Sequence, residues 1–237
     1  MTPRMRVIAG PNGSGKSTLA RQLMTDYEVN LYTFLNADDL FREIQARLKT
    51  PCPFSTDPAE LLSFVEQSTY PDQFKAFFRT GKISISEADY IVFSPDAVNS
   101  YTVAITADFF KEQYLARKMS FSFETVFSHP AKIEILRRAF ESGYRTYLYF
   151  IATESPEINI ARIAERVQQG GHDVPVDKIR QRYFRGLDLV KSALPYLSRA
   201  YFFDNTLSSL CFAEYNRESG LIFRTDFRPR WFAKNLL

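Results

Sequence analysis

Cysteine is nearly missing: only Cys52 and Cys211 occur in 237 residues, far apart and without metal-ligand spacing. A disulfide framework is therefore excluded, and a reducing compartment is indicated. No run of 18 apolar residues exists, so no segment is expected to cross a membrane. The chain reaches a glycine-rich motif by Gly10, too early for a signal peptide, and a cytoplasmic protein is expected. Net charge is also scarce. A value of +3 suits an anionic small molecule and falls short of the basic footprint of a nucleic-acid binder. There is no internal repeat and no run of four aliphatics ending in Asp-Glu, which argues against a motor ATPase.

Aromatic residues are abundant, with 22 Phe and 13 Tyr, and imply a bulky core. Short apolar runs at 5–10, 31–36, 120–125, 144–153 and 200–205 read as strands. Helical patterns fall between them, over about 15–27, 37–48, 100–118, 129–143, 155–170 and 176–194. In the fifth of these, Ile160, Ile163, Ala164 and Val167 form the apolar face; in the sixth, Ile179, Tyr183, Leu187 and Val190 do. A hairpin follows at 209–225, then a basic–aromatic tail that docks either on the body or on a partner. Strands alternating with helices imply an α/β three-layer sandwich with a mainly parallel five-stranded sheet.

Residues 49–99 differ, with five prolines and scattered Phe. They read as an inserted subregion of a single 1–237 domain, helical around 58–68 and 71–80. Phe64, Phe74, Phe77, Phe78 and Tyr90 there form either a satellite core or the lining of an acceptor pocket.

The segment GPNGSGKS matches the P-loop pattern at Gly10, Gly15, Lys16 and Ser17. By composition such a match arises in roughly one chain in a hundred of this length. Here it follows an apolar strand and opens a helix, the context that gives it meaning. The loop residues Gly10, Pro11, Asn12, Gly13, Ser14, Gly15, Lys16, Ser17 and Thr18 are placed to cradle phosphates, all but Pro11 through a backbone N–H. Lys16 supplies a cation to the β- and γ-phosphates, and the Ser17 hydroxyl would ligate Mg²⁺.

Asp38 in NADD, after the second strand, is suited either to orient an acceptor hydroxyl and take its proton or to cap the helix. Asp39 reads as a first-turn acid facing solvent. Glu124 and Thr125 end a strand, the end where open α/β sheets bind ligands. Glu124 could hydrogen-bond a substrate hydroxyl, reach Mg²⁺ through water or cap the next turn. Arg162 and Arg166 are four apart on one helical face. With Arg180, Arg182 and GGHDVP they form a lid over about 162–185, whose arginines can stabilise a migrating phosphoryl group by about 10³–10⁵ in rate. Asp204 and Asn205 close the last core strand, near the nucleotide base or as a turn.

Taken in order, AGPNGSGKST, NADD, FSFETVFSHP, ARIAERVQQGGHDVP, IRQRYFR and YFFDN resemble the zeta toxin family of small P-loop kinases over roughly 1–48 and 100–206. The resemblance implies an ATP- or GTP-dependent, Mg²⁺-requiring phosphotransferase with a small-molecule acceptor. The characterised toxins phosphorylate the sugar 3′-hydroxyl of UDP-N-acetylglucosamine, a nucleotide sugar. It implies acceptor chemistry for Asp38 and acceptor binding by Glu124 and Thr125. A kinase needs positive charge on the migrating phosphoryl group, and Arg166 and Arg182 are favoured for it, then Arg162, which is also a candidate for acceptor binding. It also implies an antitoxin protein as partner. His172 stands where some toxins place an arginine, which leaves open the lid group that meets the γ-phosphate. Two rivals remain: a kinase of another metabolite, nucleoside or RNA end, and a nucleotide-gated interaction module with weak hydrolysis.

Overall fold

The computed structural model describes residues 2–170 and 173–236. In chain order it forms β1 (Arg4–Ala9), α1 (Lys16–Thr25), β2 (Thr33–Leu35), α2 (Ala37–Arg47), β3 (Lys49–Pro51), α3 (Pro58–Gln67), α4 (Asp72–Arg79), β4 (Ile83–Ile85), β5 (Tyr90–Phe93) and α5 (Ser100–Ala116). It continues with β6 (Phe121–Thr125), α6 (Ala131–Glu141), β7 (Arg145–Ala152), α7 (Pro156–Gln168), α8 (Val176–Ala193), β8 (Arg199–Asp204), β9 (Leu210–Asn216), β10 (Gly220–Phe223) and α9 (Arg230–Leu236). The chain divides into two compact units, one of residues 1–34 and 120–237, the other of residues 35–119.

The first unit is built on a seven-stranded sheet in the order β10-β9-β8-β7-β1-β6-β2. β1 pairs in parallel with β6 and β7, and β7 with β8. All five strands expected from apolar runs lie in this sheet. It has seven rather than five because the hairpin β9–β10 continues it antiparallel from β8. The central strands have apolar side chains on both faces, as parallel strands between helices must. On one face Ile8, Tyr149, Ile151 and Phe203 pack against Leu19, Ala20 and Leu23 of α1. On the other, Trp231 and Phe232 of α9 meet the rings of Phe150, Phe202 and Phe212. The tail therefore docks on the body.

The second unit has its own three-stranded antiparallel sheet, β3-β5-β4, and its own core. Leu61, Val65, Phe78, Ile83, Ile91 and Phe93 are buried together with Ile44 of α2 and Val103, Ile105 and Phe109 of α5. The inserted subregion expected at 49–99 thus sits within a wider unit, because the helices on either side contribute core residues. Phe64, Phe74 and Phe77 pack half-buried against that core and Phe78 is inside it, which makes them the satellite core rather than an open lining. Tyr90 is half-buried beneath the Lys49 ammonium. Asn36, Asp57 and Asn99 cap α2, α3 and α5 through their side chains.

Candidate functional site

The loop between β1 and α1 is held in a shape that only glycine permits. A Cβ on Gly10 would stand 2.0 Å from the Ile151 carbonyl oxygen, a backbone atom that cannot yield. Gly13 has φ +76°, and a Cβ there would meet the Asn159 carbonyl oxygen at 2.7 Å. The loop is thereby pressed against the ends of β7 and α7. Unlike α2, α3 and α5, α1 begins without a side-chain cap, and unlike α2 and α3 it has no acid in its first turn. Its first N–H groups and positive dipole end are left for an anion.

Register sets the partner of this loop. Ile8 pairs with Glu124 and Ala9 with Thr125, so β6 ends beside the point where β1 becomes the loop. Ile8 packs on α1, and Glu124 shares its face of the sheet. The Glu124 carboxylate accepts a hydrogen bond from Ser17 Oγ at 2.9 Å and lies 3.9 Å from Lys16 Nζ. Lys16 is buried and also donates to the Pro11 carbonyl at 3.0 Å. The pair of hard oxygens from Ser17 and Glu124 is the donor chemistry Mg²⁺ takes, so these residues fit the ion the loop implies. Thr125 Oγ1 accepts from the Phe127 N–H at 3.3 Å and thereby shapes the following turn. Thr18 is exposed in the first turn of α1.

A second set of groups braces the tip of the loop. Asn159 of α7 is fully buried, and its Nδ2 donates to the Asn12 carbonyl at 2.6 Å. Its Oδ1 accepts from the buried Thr153 hydroxyl. The Thr153 carbonyl accepts from the Tyr183 hydroxyl of α8 at 2.6 Å. Burial keeps that phenol well above its ordinary pKa, so it remains a donor. Asn205 Nδ2 donates to the Ser14 carbonyl at 2.9 Å. The Ser14 hydroxyl is buried with no hydrogen-bond partner among the described residues.

The arginines divide. Arg182 Nη1 donates to Asn12 Oδ1 at 3.3 Å and so reaches the phosphate loop. Arg162 Nη2 donates to the Thr206 carbonyl at 3.2 Å, at the end of β8. Arg180 forms an ion pair with Glu157 at 2.8 Å, an exposed contact between α8 and α7. Arg166 is exposed in the last turn of α7. His172 and Gly171 of the expected lid lie outside the described residues.

Several local expectations change. The N-cap of α2 is Asn36, whose Oδ1 accepts from the Asp38 N–H at 2.9 Å, rather than Asp38 itself. Asp38 is exposed in the first turn, and its carboxylate has no ion pair among the described residues. Asp39 pairs on the surface with Arg42. Asp204 takes the turn role: it accepts from the Thr206 N–H at 2.9 Å and from Trp231 Nε1 at 2.8 Å. Ala164 is exposed, because the buried line of α7 runs through Pro156, Asn159 and Ile163. Asn159 and Thr153 were not singled out from the sequence. The available signal was an Asn four residues before Ile163, on the apolar side of an amphipathic helix.

Residues 5–185 match the protein family described as an AAA domain. A curated relative, an uncharacterized protein of Haemophilus influenzae, is 33% identical over 69 residues, 29% of this chain and 49% of the relative. The match thus spans about half the relative's length. Among solved structures, the PezAT chromosomal toxin–antitoxin system of Streptococcus pneumoniae aligns with 94% of this chain and 70% of that chain, at 13% identity and a TM-score of 0.51. The AvrRxo1-ORF1:-ORF2 crystal structure with ATP aligns with 94% of this chain and 61% of that chain, at 15% identity and a TM-score of 0.57. At such identities the likeness is one of fold.

Proposed function

The chain belongs to the AAA domain family and folds as a P-loop kinase-like domain, and from that premise we propose that it is a phosphotransferase of the zeta toxin type. Its donor is ATP or GTP, and its acceptor is a hydroxyl of a small molecule, a nucleotide sugar such as UDP-N-acetylglucosamine being the first candidate. The observation that carries the reading is the convergence on one phosphate loop of the Ser17–Glu124 oxygen pair, the buried Lys16 cation and the Arg182 guanidinium. A loop that only held a nucleotide would need the first two. A guanidinium brought to the loop from another helix suits a phosphoryl group that moves.

Each group has a task. Backbone N–H groups from Gly10 to Thr18 and the α1 dipole hold the phosphates, and Lys16 neutralises charge on the β- and γ-phosphates. Ser17 and Glu124 would hold Mg²⁺, which when bound supplies charge neutralisation and orientation of the phosphates. Asp38 orients the acceptor hydroxyl and takes its proton as the oxygen bonds to the γ-phosphorus. The bond from that phosphorus to the β–γ bridging oxygen breaks, and a nucleoside diphosphate leaves. Arg182 and Arg166 stabilise the transferring group, while Arg162 and Thr125 serve acceptor binding. An antitoxin-type protein is the partner that the resemblance implies, and 1–237 acts as one kinase domain with its insertion in the 35–119 unit.

Asp38→Asn tests the assignment of roles. Its exposed position predicts unchanged folding and ATP affinity within about twofold, while transfer falls by about 10²–10⁴, the usual worth of a general base. Transfer equal to the parent's would remove Asp38 from the mechanism.

A further inference from the structure

Two polar paths run from the second turn of α8 to the tip of the phosphate loop. One is direct, from the Arg182 guanidinium to the Asn12 side-chain oxygen at 3.3 Å. The other is buried, from the Tyr183 hydroxyl to the Thr153 carbonyl, from the Thr153 hydroxyl to Asn159, and from Asn159 to the Asn12 carbonyl. The buried path fixes the backbone at Asn12, and a fixed backbone aims the Asn12 side chain. Arg182 is half-buried, and among the described residues no carboxylate pairs with it. Arg180, two residues earlier and so on a different side of α8, is tied to Glu157.

The difference between these two partners is electrostatic. A carboxylate neutralises a guanidinium and competes with any incoming phosphate. A neutral amide oxygen holds the guanidinium in place with a weaker bond and leaves its charge intact. A phosphate oxygen, being anionic, is the better acceptor and takes the guanidinium over when it arrives.

We propose that Asn12 is a positioning residue: its side-chain oxygen holds the Arg182 guanidinium, charge uncompensated, beside the phosphate loop until the terminal phosphate of a nucleoside triphosphate takes it over. The role of this loop residue thus extends beyond its backbone N–H. The inference rests on the phosphotransferase reading only in that a nucleoside triphosphate is the ligand. It predicts that the effect of removing the Asn12 side chain depends on Arg182, which a packing role would not produce.

The test is calorimetric affinity for ATP and for ADP, each with Mg²⁺, in five full-length proteins: the parent, Arg182→Ala, Asn12→Ala, Asn12→Asp and the Asn12→Ala/Arg182→Ala double variant. The readout is the ratio of ATP to ADP affinity. Arg182→Ala should lower it about 10-fold, the worth of one hydrogen bond to a charged group. Asn12→Ala should lower it about 3-fold, and Asn12→Asp more than Asn12→Ala because the new carboxylate competes with the phosphate. In the Arg182→Ala background, Asn12→Ala should change the ratio by less than about 1.5-fold, the sign of action through Arg182. The proposal is overturned by an undiminished Asn12 effect in that background, by an Asn12→Asp ratio equal to the parent's, or by an Arg182→Ala ratio equal to the parent's. Absence of transfer to any acceptor, with the ratios behaving as stated, would sink the transferase reading and leave the Asn12 assignment standing.

Discussion

The Glu124 carboxylate stands 2.9 Å from Ser17 Oγ and 3.9 Å from Lys16 Nζ, so removing its charge alters two groups at once. Glu124→Gln should raise the Mg²⁺ concentration for half-maximal nucleotide binding about tenfold, because a charged oxygen donor is lost. A magnesium titration against a fluorescent nucleotide checks this, and an unmoved midpoint would separate Glu124 from the metal. At Asn159 the prediction concerns stability. Asn159→Leu keeps the number of side-chain heavy atoms but strips a partner from the part-buried Asn12 carbonyl and from the buried Thr153 hydroxyl, and should cost about 1–3 kcal/mol in urea denaturation. Parent-like stability would mean that the loop tip finds other partners. Residues of these two kinds differ in how legible they are. Lys16, Ser17 and Glu124 are visible because phosphate chemistry constrains residue type at fixed spacing or at a strand end. Asn159 is not, because an amphipathic pattern counts Asn as solvent-facing. Only the packing of α7 on the loop reveals that its amide satisfies a backbone carbonyl.

At the scale of elements, the strands flanking the site follow from composition. β1, β7 and β8 carry apolar residues on both faces, β6 alternates Phe121 and Phe123 with Ser122 and Glu124, and the loop after β1 bears the glycines that its close approach to β7 and α7 demands. The short strands β3, β4 and β5 were not visible. With three or four residues each, among five prolines, they leave no period to detect. They exist because Ile83, Ile91 and Phe93 find a common core. The tail was undecided for a similar reason. Seven residues of helix have no preference of their own, and docking depends on the Trp231 and Phe232 rings and on the Trp231–Asp204 hydrogen bond. Phe232→Ala should therefore destabilise the protein by about 3–5 kcal/mol, as for a fully buried Phe. A shift in the denaturation midpoint below a third of that would mean that the tail contributes little to the sheet.

At the scale of the whole molecule, the two compact units carry one cysteine each, Cys52 in residues 35–119 and Cys211 in the other. Burial, reinforced by the Asp89 carboxylate, pushes the Cys52 thiol up to about 11. Burial likewise pushes the Cys211 thiol up to about 11, with Arg224 offsetting part of the rise. A raised thiol pKa means less thiolate at a given pH, so alkylation of the folded protein at pH 8 should be about 100-fold slower than for an ordinary thiol. Pulsed alkylation along a urea series, read by peptide mass spectrometry, then reports each unit separately. The smaller unit buries less apolar surface, so Cys52 should become reactive at the lower urea concentration. Coincident midpoints would mean that the chain opens as one cooperative body. No helix among the described residues is long and apolar enough to cross a membrane, which agrees with the sequence, whereas the acceptor is written in neither the loop nor the sheet. The most direct test of the central claim is mass spectrometry of a cell-extract metabolite pool incubated with the protein, Mg²⁺ and ATP or GTP. The account predicts a species heavier by one phosphoryl group that disappears with Lys16→Ala. A pool unchanged with both nucleotides, from protein shown to bind them, would contradict it.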